Sequence, residues 1–428
     1  MTEFDVIIVG AGILGLSTAY HLKRENPKKK ILLIDTLSAA GQANTAKSNA
    51  CYRNFFSSEV NYTLADSSVN FYLHLQRDLG YDLGMRQTGY LFLMSERRLR
   101  EVSKLIESMK KTGRECRIYE KEDLKRMLQM RTEVEIDEEA RRMGLGNIEK
   151  GVFVVKAGHF HADALTNYYE SEFKRIGGQT LYDTNVSRLI IEPSEKLGLP
   201  DEPRVWQEAR ISGVKTNRGE FFASKIVIAA GAWSSSLLDP VGIDAHVKPK
   251  KRQIFVVKAE KKSLSRLLNT KGFNEEGTSP ITILPKPLIV TKPEKEENGF
   301  WISCSDELGR KFMLEEDPSA EEEYYNYDIY LVLRLYFPQF EGVRPFRSWA
   351  GQYAINTIDG VAYVFEEEGL MVVTGASGSG VMKADSIGRI ASALYAEEKY
   401  AELFGDKDFR VSDLGVKERR VEPEQFVT

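Results

Sequence analysis

Cysteine is scarce: Cys51, Cys116 and Cys304 are the only three in 428 residues, and no two form a CxxC pair. That excludes a disulfide framework and a thiolate zinc site, and it predicts reduced thiols in a cytoplasmic protein. Histidine is sparse as well, with five residues and no carboxylate ligand set beside His159 and His161, so no metal site is predicted. An excess of one charge is also missing. The 59 Lys and Arg nearly balance the 63 Asp and Glu, for a formal net charge of -4, which gives no electrostatic reason to expect nucleic acid or an anionic membrane as partner. No hydrophobic run is long: the stretch 6–16 is broken by glycines and falls short of the roughly 20 residues that cross a bilayer. Glu3 and Asp5 stand where a signal peptide would carry basic residues. Small diffusible substrates are favoured by what remains.

The apolar fraction of 42% and the 10% of aromatics exclude disorder. At roughly 150 residues per domain the length is a prior for about three domains. The most legible part is the beginning. Asp5 to Val9 is a nearly continuous β-branched run, as expected of a parallel strand buried on both faces. A glycine turn follows, then a helical pattern over 14–23 and a second apolar strand over 30–35 that ends in Asp35. This is a βαβ unit.

The turn reads Gly10-Ala11-Gly12-Ile13-Leu14-Gly15, which is GxGxxG between a strand and a helix. The first glycine permits the tight turn, the second lets a pyrophosphate approach the backbone, and the third lets helix and sheet pack closely. Free N–H groups and the dipole at the helix start then hold the phosphates. Asp35, with Thr36 after it, is placed to accept the ribose hydroxyls of an adenosine. A dinucleotide cofactor is therefore expected, although the motif alone does not separate NAD from FAD.

Further on, 60–79 and 162–176 read as helices, and 95–130 as two charged, exposed helices. Strands are expected at 89–93, 151–155, 179–181, 186–191 and 225–230. The stretch 246–303 reads as antiparallel sheet, with 321–337 helical, a buried strand at 369–374 and a helix over 381–395. The basic run 248–252 reads as a solvated turn, and the residues after Gly405 as a polar surface tail.

Two later segments are informative. Ile226-Val227-Ile228-Ala229-Ala230-Gly231-Ala232-Trp233-Ser234 is a buried strand ending in a small-residue turn, and Leu370 to Gly380 is a strand feeding a glycine-rich helix start. Together with the N-terminal unit, with Gly158 to Ala162, Lys251-Arg252-Gln253 and Trp349-Ala350-Gly351, they resemble the D-amino-acid oxidase-like (DAO) family of FAD-dependent amine oxidoreductases. The resemblance runs to about Ala396, and within the family the Tyr52-Arg53-Asn54-Phe55-Phe56 loop is nearest in impression to the archaeal dye-linked L-proline dehydrogenases.

That resemblance implies an α/β fold, a Rossmann-like FAD-binding domain with an inserted mixed or antiparallel-sheet substrate domain. The FAD-binding part is expected in three stretches, 1–88, 151–242 and 347–405, the substrate part in 89–150 and 243–346, and a tail in 406–428. It implies FAD contacts from Lys47, Ser48 and Asn49, from Val186, from Ala230, Gly231 and Trp233, and from Gly351. Gly378, Ser379, Gly380, Val381 and Met382 would face the flavin, where a helix start stabilises negative charge on the pyrimidine edge. Arg53 is implied as the carboxylate partner of the substrate, with Lys383 as a second, and Tyr353 and Tyr52 as pocket residues. Lys311 lies roughly where oxygen-reactive relatives carry a flavin-facing lysine. Some relatives attach FAD through a cysteine before a Thr-x-Asp segment; 352–357 has none, so non-covalent FAD is expected.

The implied reaction is oxidation of a small amino acid or secondary amine, L-proline first, by hydride transfer to flavin N5 with a dye or electron carrier as acceptor. Alternatives are a sarcosine, glycine or D-amino-acid oxidase using oxygen, an NAD-binding dehydrogenase, and a flavin-bearing electron-transfer subunit of a larger complex. The natural acceptor is left open by the sequence, as is a homo-oligomer.

Overall fold

The computed structural model describes residues 3–426 and contains two eight-stranded sheets. The first sheet runs Tyr363–Glu367, Leu370–Thr374, Gly219–Ile228, Phe4–Val9, Ile31–Ile34, Gln179–Leu181. All these pairings are parallel except the one between Tyr363–Glu367 and its neighbour. Burial on both faces explains the β-branched run at the N-terminus. Val6 and Ile8 face a core built with the helices Ile13–Glu25, Glu59–Arg77, Ala162–Arg175 and Ala384–Tyr395, whereas Ile7 and Val9 face a second core with Leu237 and Leu238. A hairpin, Val186–Pro193 with Ala209–Thr216, extends the strand Gly219–Ile228. The fold is the expected α/β arrangement.

The second sheet runs Arg347–Ile355, Lys248–Lys258, Gly299–Ser303, Val290–Glu294, Ile281–Ile283, Tyr90–Met94, Lys150–Val154, Cys116–Glu120. Its pairings are antiparallel apart from Ile281–Ile283 against Tyr90–Met94. Alternation again sorts the side chains. Leu91, Leu93, Phe255 and Val257 pack under the helical segments Lys121–Leu128 and Tyr330–Tyr336, while Tyr90, Ile254 and Val290 turn to a cavity walled on its other side by the glycine-rich loops of the first sheet.

Several sequence expectations are corrected. The boundaries at 151 and 347 place Lys150–Val154 and Arg347–Ile355 with the dinucleotide half, but both pair in the second sheet. Within 95–130 the helices Glu96–Lys111 and Lys121–Leu128 are separated by the strand Cys116–Glu120, an edge strand whose exposed, charged residues hide its type. The basic run 248–252 is not a turn. It is the start of an eleven-residue strand, with Lys250 and Lys251 buried against Glu307 and Glu321 at 2.6 Å each. The expected helix over 321–337 divides into a π-helical stretch, Tyr324–Ile329, and an α-helix, Tyr330–Tyr336.

The expected surface tail is also different. Tyr400–Leu403 and Lys407–Arg410 form a hairpin, Val411 and Leu414 join the main core, and the chain then returns so that Phe426 is only 2% exposed.

Candidate active site

The N-terminal turn distinguishes its three glycines. Gly10 has φ +106, and a Cβ there would lie 2.5 Å from the Ala229 carbonyl oxygen. A Cβ on Gly15 would lie 1.9 Å from the Gly10 oxygen. Both are demanded by the protein's own packing. Gly12 is not: an added Cβ would meet only Thr45 Oγ1, at 3.5 Å, so the space before the helix is free for a ligand. A diphosphate fits this cradle. Ile13 N–H donates to Thr45 Oγ1 at 3.1 Å, and Leu14 packs beside the main core.

Asp35 is fixed by two backbone donors, Ala11 N–H at 2.6 Å and Leu37 N–H at 2.8 Å. Burial nonetheless raises its carboxyl above the ordinary value, these backbone bonds opposing the shift. Thr36 is exposed beside it, and Val186 packs half-buried in the same apolar cluster as Leu181 and Ala230. Thr184 N–H donates to the Asp35 carbonyl at 2.9 Å, which ties this edge to the end of the second strand.

The loop 41–50 joins the two sheets. Asn44 Oδ1 accepts Gln352 N–H at 2.7 Å, Lys47 carbonyl accepts Trp349 Nε1–H at 3.0 Å, and Asn49 Nδ2–H donates to Ser303 Oγ at 3.1 Å. Gly351 allows this approach, since a Cβ there would lie 3.1 Å from Asn44 Oδ1. Lys47, Ser48, Asn49 and Gly351 all line the cavity. Asn49 Oδ1 and Gln352 Oε1 are buried without partners among the described residues, as expected of groups that face a polar cofactor.

The other two glycine segments meet each other. Thr374 Oγ1–H donates to the Gly231 carbonyl at 3.2 Å, and Trp233 is half-buried on the short turn Gly231–Trp233, away from the cavity wall. In the third segment Gly378 has φ +90 and presses on Tyr353, whose ring would be 2.2 Å from a Cβ. Gly378, Val381 and Met382 line the cavity, while Ser379 and Gly380 lie behind it. A 3-10 turn, Val381–Lys383, precedes the last helix.

The expected carboxylate partners do not face this cavity. Arg53 is 4% exposed and its guanidinium donates to the carbonyls of Phe55 and Phe426 while stacking on Phe56 at 4.1 Å. Lys383 Nζ donates to Ser379 Oγ at 2.7 Å and Asn61 Oδ1 at 2.5 Å, 4.9 Å from the centre of the same Phe56 ring. Burial brings Lys383 down to about 7, with the Arg53 charge acting the same way and Glu424 opposing. The returning segment 422–426 closes this region. Glu424 accepts Ser57 N–H at 3.0 Å and Ser58 N–H at 3.2 Å, and the Phe426 ring sits 5.0 Å from Phe55 and 5.6 Å from Phe92.

Tyr353 does line the cavity, and burial raises its phenol, so it keeps its proton and can donate. Tyr52 instead is buried against Phe160 at 6.1 Å. Lys311 is exposed and is not on the wall. Cys51 and Cys304, distant in sequence, lie on the same wall, and burial raises both thiols, Cys304 to about 11. His159 is buried and its imidazole is pushed well down by burial, whereas His161 is exposed. No group of three metal-ligating side chains occurs among the described residues. Sequence reasoning missed Asn44, Thr45 and Arg252, of which only Arg252 stood in a segment that carried the resemblance.

Comparisons with known proteins agree with this geometry. The family description "FAD dependent oxidoreductase" (DAO) matches residues 5–394. FAD-dependent oxidoreductase domain-containing protein 1 of Xenopus laevis is 23% identical over 93% of this chain and 80% of its own. Among solved structures, L-proline dehydrogenase from P. horikoshii superposes with TM-score 0.75 at 19% identity over 97% of both chains. Glycine oxidase from Geobacillus kaustophilus gives 0.71 at 18%, over 93% of this chain and 96% of its own.

Proposed function

The chain belongs to the DAO family of FAD-dependent oxidoreductases, and on that footing we propose that it oxidises the C–N bond of a small amino acid or secondary amine. The observation that carries this is the cavity enclosed by the loop 44–51, the third glycine segment and the polar face of the second sheet. It offers a flat ligand one wall of backbone and a second of mixed polar side chains, the arrangement a flavin and a small substrate need.

The GxGxxG turn and Asp35 would hold the diphosphate and ribose of FAD; Lys47, Ser48, Asn49, Gly351, Gly378, Val381 and Met382 would hold its ring system. Bound FAD supplies the two-electron acceptor that the side chains lack. The chain's own residues position the substrate and exclude water. Tyr353, which keeps its proton, would donate a hydrogen bond to the substrate, and Lys250, Lys251 and Arg252 tie the irregular segment beyond Ser305 to the edge of the second sheet.

L-proline is the first substrate to test, supported by the likeness of fold to L-proline dehydrogenase from P. horikoshii, and a dye or electron carrier is the first acceptor to try. We place FAD as non-covalently bound. Anaerobic mixing of the holoprotein with a panel of amino acids and N-methyl amines tests the reading: L-proline should bleach the flavin, and an added dye should restore it faster than oxygen. Bleaching by sarcosine and not by L-proline would replace the substrate; bleaching by none would remove amine oxidation.

A further inference from the structure

The cavity wall holds one arginine among the described residues, and it is Arg252 rather than Arg53. Arg252 lies on the strand Lys248–Lys258, opposite Gly351 in register, with its guanidinium carbon 5.5 Å from the centre of the Tyr353 ring. Its side chain is only 11% exposed. Nη1–H donates to the carbonyls of Lys251 at 3.2 Å and Asp306 at 3.3 Å, and Nη2–H donates to Glu307 Oε1. Nε is buried and has no partner among the described residues.

An unpaired buried N–H on a charged group costs more than a neutral one, so Nε–H marks an unfilled acceptor position. The Nε and Nη2 edge of a guanidinium takes the two oxygens of a carboxylate side by side. One of those two donors is held here by Glu307, a carboxylate that is 66% exposed and is therefore rehydrated readily when displaced. Glu307 has a second cation at hand: Lys250 Nζ lies 2.6 Å from Oε2. When a ligand carboxylate takes the edge of Arg252, Lys250 keeps Glu307 paired. Arg53, by contrast, has both terminal nitrogens committed to backbone carbonyls.

We propose that Arg252 anchors the carboxylate of the amino-acid substrate and that Glu307 occupies its place until that carboxylate arrives. The assignment rests on the amine-oxidation reading and narrows it to substrates with a free carboxylate; esters and decarboxylated amines would lack the partner that Arg252 requires.

The test uses the holoprotein, the visible spectrum of its flavin titrated with benzoate and acetate, and anaerobic bleaching by amino acids and their methyl esters. Arg252→Met should keep the flavin and weaken carboxylate binding by about 100-fold, the loss of a charge-assisted pair. Glu307→Gln, which keeps an acceptor for Lys250, should tighten carboxylate binding several-fold by removing the competing charge. Unchanged affinity in Arg252→Met, weakened affinity in Glu307→Gln, or loss of binding in Arg53→Met with Arg252→Met unaffected would each overturn the anchor. Methyl esters that bleach the flavin as well as the free acids do would overturn it while leaving amine oxidation standing. A wild-type flavin that no amino acid bleaches and no carboxylate perturbs overturns both.

Discussion

His21 Nε2 lies 2.8 Å from Asp385 Oδ1, and neither side chain is exposed to solvent. The pair joins the helix after the first glycine turn to the helix after the third, so it locks together two parts of the dinucleotide half that are far apart in sequence. Asp385 accepts only, so Nε2 carries the proton, and Arg389 at 2.7 Å supplies the charge that balances the carboxylate. Burial holds His21 down to about 4, against the pull of Asp385.

The pH dependence follows from that depression. Between about 4 and 6.5 the unfolded chain binds a proton that the folded protein does not, so stability falls as pH falls through this window, by up to roughly 3 kcal/mol from this group. His21→Gln is expected to be less stable than wild type at pH 7.5, with the difference in melting temperature shrinking towards pH 5. A difference that stays constant with pH would remove His21 from the acid response.

Two glycines of one turn should fail in different ways. Gly15→Ala drives a Cβ into the Gly10 carbonyl and should destabilise the protein by roughly 3 kcal/mol, with or without flavin. Gly12→Ala fills only the ligand's space, so the apoprotein should melt within about 2 °C of wild type while flavin binding is lost. Thermal melts paired with flavin absorbance separate the two.

Lys383, held down to about 7 by burial, should lose its charge across neutral pH. Behind the loop that would face the flavin's polar edge, its ammonium favours the reduced, more negative cofactor. Lys383→Met should therefore retain FAD, shift its midpoint potential negative by about 30 mV per 1.4 kcal/mol lost, and erase an inflection near pH 7 in a plot of potential against pH. An unchanged potential would confine Lys383 to packing.

Cys51 and Cys304 should react slowly with iodoacetamide at pH 8, because burial raises both thiols and leaves little thiolate. Denaturation should expose them at once. Acid precipitation should release yellow flavin to the supernatant; colour kept in the precipitate of wild type but not of Cys304→Ser would show a link through that residue.

Much of the dinucleotide half was legible because its signals are local. Gly10 to Gly15, the strand before them and Asp35 occupy one short stretch, and their packing reasons hold in the structure. The first half of the strand Lys248–Lys258 was not, since three adjacent basic residues look solvated unless the acidic partners Glu307, Glu315 and Glu321 are brought over them by tertiary structure. Arg53 illustrates the same limit within the candidate site. Its position along the loop was readable, but its commitment to the Phe426 carbonyl depends on a segment that reads as polar tail. Cys51 and Cys304 share a wall for the same reason: sheet pairing, not spacing, sets their proximity.

The contact between Arg53 and Phe426 spans 373 positions of the chain. Closing so long a separation brings little reward until the segments between its ends are ordered, so segment 422–426 is expected to dock late in folding. It is held mainly by hydrogen bonds and one aromatic ring rather than by a regular element, and such a clasp opens without global unfolding. Hydrogen exchange at the amides of Ser57 and Ser58, which donate to Glu424, should therefore report the opening of this clasp rather than that of the two sheets.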